Sequence, residues 1–119
     1  MEITISEING IQLAEVISDK IIINETQDAL DLMAECNYKG SWKIIVQEKN
    51  IVSDFFDLKT GLAGDILQKF STYHVQLAII GNFSKYTSKS LKDFIFESNR
   101  YGRINFVSSI EEAKIRLAK

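Results

Sequence analysis

The sequence contains no proline. Ordinary usage of ~5% would supply about six in a chain of this length. Its turns must therefore be made by Gly, Asn, Asp and Ser. There is one cysteine, Cys36, and one histidine, His74. A lone cysteine cannot close an internal disulfide, which excludes a disulfide-stapled secreted scaffold. One ligand of each kind, far apart in the chain, also gives no Cys/His zinc site, so no metal is expected. No basic stretch leads into an apolar run at Met1-Glu2-Ile3-Thr4, so no signal peptide is read there. No apolar run approaches the ~20 residues of a membrane helix. Neither sign of charge is in clear excess: 14 Lys+Arg against 16 Asp+Glu give a formal net charge of -2. That lacks the basic surplus of a nucleic-acid binder. The expectation is a cytoplasmic protein with no membrane and no nucleic-acid partner. Finally, there is no Ser-His-Asp motif, Walker loop or GxGxxG. No cofactor is expected and no catalytic residue is assigned.

What is present is the balance of a globular domain. The chain has 119 residues, 45% hydrophobic and 25% charged, inside the commonest domain size of ~100–150 residues. A single α/β domain over 1–119 is expected. Asn9-Gly10 between two β-rich runs is a strong hairpin signal, which predicts strands at 2–8 and 11–17. Ile21-Ile22-Ile23 reads as a continuation or a short edge piece. Asn24 to Gln27 fits a capping box with Gln27 reaching back. Ala29, Leu30, Leu32, Met33 and Cys36 then recur at helical spacing. Cys36 on that stripe reads as a buried, inert thiol, and His74 as a solvated side chain.

Trp42 to Val46 is a short apolar run, predicted as a buried strand. Residues 51–60 form a loop holding Phe55-Phe56, read either as a core plug beside an exposed anchor or as two packed rings. Leu62, Ala63, Ile66, Leu67 and Phe70 mark a second helix, and Val75 to Ile80 the most apolar strand. A third helix is expected from about 88 to 99, with Asn99 or Gly102 left-handed at its end. Ile104 to Val107 is the last strand, and Ser109 to Glu112 opens a fourth helix. Alternation of strands and helices implies a mixed, mainly parallel sheet of four to five strands, with an N-terminal hairpin and four helices. Leu13, Leu30, Met33, Ile45, Leu62, Ile66, Leu77, Ile79 and Leu91 are the expected core.

In open α/β sheets, ligands collect outside the carboxyl ends of the parallel strands. Glu48 to Asn50 leave one such end and Gly81 to Ser84 another. Helices beginning near Thr60 and Ser88 point their N-termini at the same edge, where free N–H groups suit an anion. Lys59, Lys85 and Lys89 add positive charge. Gly61 and Gly64 cost helix stability, which suggests close approach of something to the backbone. The binding candidates are Glu48, Asn50, Asp57, Lys59, Thr60, Gly61, Asn82, Ser84 and Ser88. Thr60 is also a candidate phosphorylation site.

The stretch Asp54-Phe55-Phe56-Asp57-Leu58-Lys59-Thr60-Gly61-Leu62-Ala63-Gly64-Asp65-Ile66-Leu67-Gln68-Lys69-Phe70, with Gly81-Asn82-Phe83-Ser84-Lys85-Tyr86 and Phe94-Ile95-Phe96-Glu97-Ser98-Asn99, resembles a bacterial family known as domain of unknown function 4180. The resemblance covers almost the whole chain and implies a small bacterial single-domain protein of undetermined activity. A looser, topological resemblance is to the STAS domain of sulfate transporters and anti-sigma-factor antagonists, whose order of elements is the same. There, Thr60 would stand where the phosphorylated serine of the STAS loop stands. The spacing from Asp57 to Thr60 is one residue longer than in that loop, and Lys59 replaces a small polar residue.

Two functions follow as expectations. One is a non-catalytic regulatory or protein-interaction module, STAS-like, whose partner is another protein or a second copy. The alternative is a binding domain or small enzyme for an anionic small molecule, with Glu48 and Asp57 as acid and base. A deep concave pocket with both carboxylates facing inward favours the second, and a flat or convex face with Phe55 or Phe56 exposed favours the first. The most informative observation is whether Glu48, Asp57, Thr60 and Asn82 converge on one cavity.

Overall fold

Asn9 and Gly10 both take positive φ, 54° and 80°, as a two-residue hairpin loop requires. They join β1 (Glu2–Ile8) to β2 (Ile11–Ile17), with Ile8 opposite Ile11. In the computed structural model, which describes all 119 residues, the chain continues through α1 (Thr26–Tyr38), β3 (Lys43–Gln47), α2 (Leu62–Thr72), β4 (Gln76–Ile80), α3 (Lys89–Tyr101), β5 (Ile104–Val107) and α4 (Ile110–Leu117). The strands lie in chain order in one five-stranded sheet. Only β1–β2 is antiparallel; the other pairs are parallel. This is the mixed sheet with an N-terminal hairpin and four helices that the sequence implies.

Side chains alternate between the two faces of the sheet. Ala14, Val16, Ile44, Val46, Leu77, Ile79, Ile104 and Phe106 face the larger core, against Ala29, Leu32, Met33 and Cys36 of α1, Ala63, Ile66 and Phe70 of α2, and Leu91 of α3. The α1 and α2 sets recur at three- and four-residue steps, which puts each on one helix face. Leu13, Ile45, Ala78 and Val107 face the other way, onto Ala113 and Leu117 of α4. Seven of the nine expected core residues are buried, while Leu30 and Leu62 are half-buried at the rim.

Three local expectations shift. Helix α1 is capped one residue later than expected: Asp28, not Gln27, reaches back, its Oδ2 accepting from the Asn24 and Glu25 N–H groups at 2.8 and 3.1 Å. Gln27 instead donates to Asp31. Trp42 is exposed, because β3 begins one residue after it, at Lys43. The run Ile21 to Ile23 is neither a continuation of β2 nor a strand of its own. It makes a single parallel bridge, Ile23 to Ile51, with the Ile22 and Ile23 N–H groups both donating to the Asn50 carbonyl.

Beyond β5 the sheet edge is sealed by a side chain. The Phe106 N–H donates to Asn99 Oδ1 at 2.7 Å, and Asn99 Nδ2 donates back to the Phe106 carbonyl at 3.2 Å. The amide thus stands in for a neighbouring strand, a recognised need at exposed edges. Gly102, φ 81°, terminates α3.

Candidate functional site

The carboxyl ends of β3 and β4 lie side by side, with Gln47 opposite Ile80. The next residues are Glu48 and Gly81, and the two interlock. A Cβ on Gly81 would lie 2.5 Å from Glu48 Oε1 and 2.8 Å from Glu48 Cβ. The glycine is therefore what lets the Glu48 side chain cross the end of β4. There the carboxylate accepts a hydrogen bond from the Tyr86 hydroxyl at 2.5 Å and pairs with Lys85 Nζ at 2.8 Å, both at Oε2. The Glu48 side chain is only 16% exposed. Burial, followed by the hydrogen bond to Glu48 and the charge of that carboxylate, holds the Tyr86 phenol well above the usual tyrosine range.

An aromatic floor supports this cluster. Phe56 stacks on Tyr86 with centroids 5.1 Å apart and planes 12° apart, and Phe83 lies 6.1 Å from Phe56. Phe55 and Phe56 are both buried, so neither is an exposed anchor. Lys85 Nζ sits 5.3 Å from the Tyr86 ring centroid, within cation–π range. Beside the cluster is an open cleft of about 380 Å³, whose walls include Glu48, Lys49, Ser53, Phe56, Lys85 and Tyr86.

The remaining candidates serve the framework of this edge. Asn50 is fully buried: its Nδ2 donates to the Ser18 and Lys20 carbonyls at 2.8 and 2.9 Å, and its Oδ1 accepts from the Gln47 N–H at 3.0 Å. It ties the end of β3 to the segment leaving β2. Asp57 Oδ1 accepts from the Lys59 N–H at 3.2 Å, and the Lys59 side chain is exposed. The Thr60 hydroxyl lies 2.7 and 2.9 Å from the Asp54 and Asp57 carbonyls and accepts from the Leu62 N–H at 3.3 Å. It does sit at the start of α2, where Gly61, φ 79°, is the capping residue. Asn82 Oδ1 accepts from the Ser84 N–H and hydroxyl, and Ser88 Oγ caps α3 through the Leu91 N–H.

Glu48, Asp57, Thr60 and Asn82 share an edge but no cavity. Asp57 and Thr60 lie outside the cleft beside Glu48, and Asn82 lines a separate one with Gly81, Phe83, Ser108 and Glu112. Gly61 and Gly64 have open space where a Cβ would stand, so the close approach inferred from them is absent. It occurs at Gly81. Sequence reasoning passed over Gly81 and Tyr86 as site residues. The usable signal was Gly81 directly after the most apolar strand, where an isolated glycine marks close approach. His74 is exposed, with φ 57°, and no group of three or more His, Cys, Asp or Glu is placed to hold a metal. No helix is long and apolar enough to cross a membrane.

Comparison with curated proteins and with solved structures found no match for the chain. Comparison with family models did: the one for the domain of unknown function DUF4180 matches residues 8–117, and the chain belongs to that family.

Proposed function

We propose that this protein is a small, non-catalytic regulatory module of the bacterial cytoplasm, STAS-like in its order of elements, which binds a partner protein or a second copy through the carboxyl edge of its sheet. The observation that carries the reading is the state of Glu48. Its carboxylate is taken up by Tyr86 and Lys85, so it acts as a link between β3 and the segment after β4. A general acid or base needs its proton-carrying atom within reach of a substrate, and Asp57 does not enter the cleft beside Glu48. The loops of this edge are instead fixed by side chain–backbone bonds from Asn50, Asp57, Thr60 and Asn82. A preformed surface of this kind loses little freedom on docking. Lys49, Lys59, Ser84 and Lys85 are exposed on it, and the Lys59 ammonium makes no ion pair within the chain.

One observation favours the alternative, an anionic small molecule: Lys49 and Lys85 both line the cleft beside Glu48. The two readings separate with Lys49→Glu and Lys59→Glu, neither of which touches the Glu48 carboxylate. Quantitative capture from the native host, compared with wild type and with the remote Tyr38→Ala, should lose the same partner with both lysine variants. Wild-type capture by Lys59→Glu, combined with loss of phosphate or nucleotide binding in Lys49→Glu alone, would transfer the function to the cleft.

A further inference from the structure

The inner stripe of α3 runs Leu91, Phe94, Ile95 and Ser98, and the last position holds a serine where the period calls for an apolar side chain. Ser98 is 5% exposed. The chain has four buried polar residues, and the other three are engaged: Ser41 with the Gln12 and Lys43 carbonyls, Asn50 as above, and Asn105 with the Leu77 and Gly102 carbonyls. Ser98 has no side-chain hydrogen bond within the protein. Since no enclosed side-chain polar atom lacks a partner, its hydroxyl must open onto the space beside it.

That space is a cleft of about 450 Å³ between α2 and α3, at the amino end of the parallel strands and so opposite the Glu48 edge. The size falls in the ~300–1,000 Å³ range of small-molecule sites. Leu67, Phe94 and the largely exposed Tyr101 give it apolar lining, and Arg103 lines it as well. The guanidinium makes one hydrogen bond within the protein, from Nη1 to the Val75 carbonyl at 3.3 Å, and has no carboxylate partner. Its charge is felt nearby: Lys43 is held below the usual lysine range by burial first and by Arg103 second. Glu97 also lines the cleft, with Arg100 Nη1 at 3.6 Å from its carboxylate.

We propose that this cleft is a binding site for a small amphiphilic carboxylate, its acid group on Arg103 and the Ser98 hydroxyl and its apolar body against Leu67, Phe94 and Tyr101. Arg103 offers a planar fork of donors matched to a carboxylate, and the apolar wall supplies area burial. Neither is used by the binding edge proposed above, so the two assignments stand or fall separately.

The test is amide-resolved NMR titration of the full chain with decanoate, using decanol and acetate as controls. Saturable shifts confined to residues 67–71 and 94–103 are expected. Binding should weaken at least ~10-fold in Arg103→Gln and recover in part in Arg103→Lys, while both controls bind more weakly than decanoate. Because Arg103 also holds the Val75 carbonyl, Leu67→Glu provides a second variant. It puts a like charge on the half-buried wall and should abolish binding without that structural contact. Absence of saturable shifts, shifts at Glu48 and Tyr86 instead, or decanol binding as tightly as decanoate would each overturn the proposal.

Discussion

Replacing Gly81 with alanine adds one carbon atom and tests the centre of the carboxyl edge. Gly81 does not have a left-handed φ, so the backbone accepts alanine without strain. The obstacle is the new Cβ, which would meet Glu48 Oε1 at 2.5 Å, Glu48 Cβ at 2.8 Å and Phe83 Cζ at 3.1 Å. Turning the carboxylate to move Oε1 away also displaces Oε2, which holds Tyr86 and Lys85. The Glu48 Cβ cannot swing, because the backbone after β3 fixes it. Overpacking of this kind costs about 1–3 kcal/mol, against a gain of about 0.4–1 kcal/mol from the stiffer unfolded chain. The net expectation is a loss of about 1–2 kcal/mol, or a Tm lower by roughly 3–8 °C for a domain of this size.

Urea denaturation measures the loss, and a double-mutant cycle assigns it. Glu48→Ala keeps the Cβ contact and should relieve the clash only in part. Glu48→Gly removes both contacts, so Gly81→Ala in that background should be neutral or stabilising, with a coupling of about 1 kcal/mol or more. Gly64→Ala is the control. It is exposed in the first turn of α2 with nothing within 4 Å of the new Cβ, and should gain up to about 1 kcal/mol. A Gly81→Ala protein as stable as wild type, or one equally destabilised beside Glu48→Gly, would refute the interlock.

Four further outcomes follow from named contacts. Tyr86 has its phenol pKa raised in the fold, so the native state holds that proton more tightly than the unfolded chain. Its contribution is complete below about pH 10 and is lost as the pH climbs above it; Tyr86→Phe should flatten that alkaline decline in urea titrations, and an unchanged slope would contradict the link. Asn50→Ala removes three bonds made by a buried side chain to part-buried backbone groups and should cost about 3 kcal/mol, read as a shift in urea midpoint. The Cys36 thiol is pushed up to about 11, chiefly by burial and then by Glu35, with Lys39 opposing. It should therefore resist Ellman's reagent at neutral pH until urea unfolds the chain. Thr60→Glu replaces a hydroxyl that donates toward two carbonyls with acceptors, and should open the turn, seen as faster hydrogen exchange at Gly61 and Leu62; unchanged protection would mean the turn does not depend on that hydroxyl.

The elements were legible because each is written locally. Asn9-Gly10 states its own turn, and Ala29, Leu32, Met33 and Cys36 state their own helix face. Boundaries slipped by a residue where two side chains compete for one role, as Asp28 and Gln27 do at the start of α1. The site was legible only as an edge. Hydroxyls and amides near helix starts are visible in the sequence, but their partners are not. Glu48 and Tyr86 meet through the parallel register of β3 and β4, and no local pattern encodes that register. Asn99, offered by the sequence as a left-handed helix end, closes the open side of β5 instead, a role that exists only once β5 is known to be the last strand.

The chain, which has no proline, stiffens its loops by other means. Loops can be stiffened by fixing φ or by tying side chains to the backbone. This chain uses the second means throughout its carboxyl edge: Asn50 ties the ends of β2 and β3, Asp57 and Thr60 close the turn into α2, Asn82 closes the turn after β4, and Ser88 and Ser109 cap α3 and α4. The residue types that stiffen such loops are the ones that would contact a ligand there. A search for polar groups at the edge therefore returns the framework together with any binding surface. Alanine at Thr60 or Asn82 disturbs both at once, and a loss of binding would not say which was removed. Side chains that take no part in the ties can separate them. Lys59 is exposed and contributes only its backbone N–H to the Asp57 turn, so reversing its charge changes the surface and leaves the loop standing.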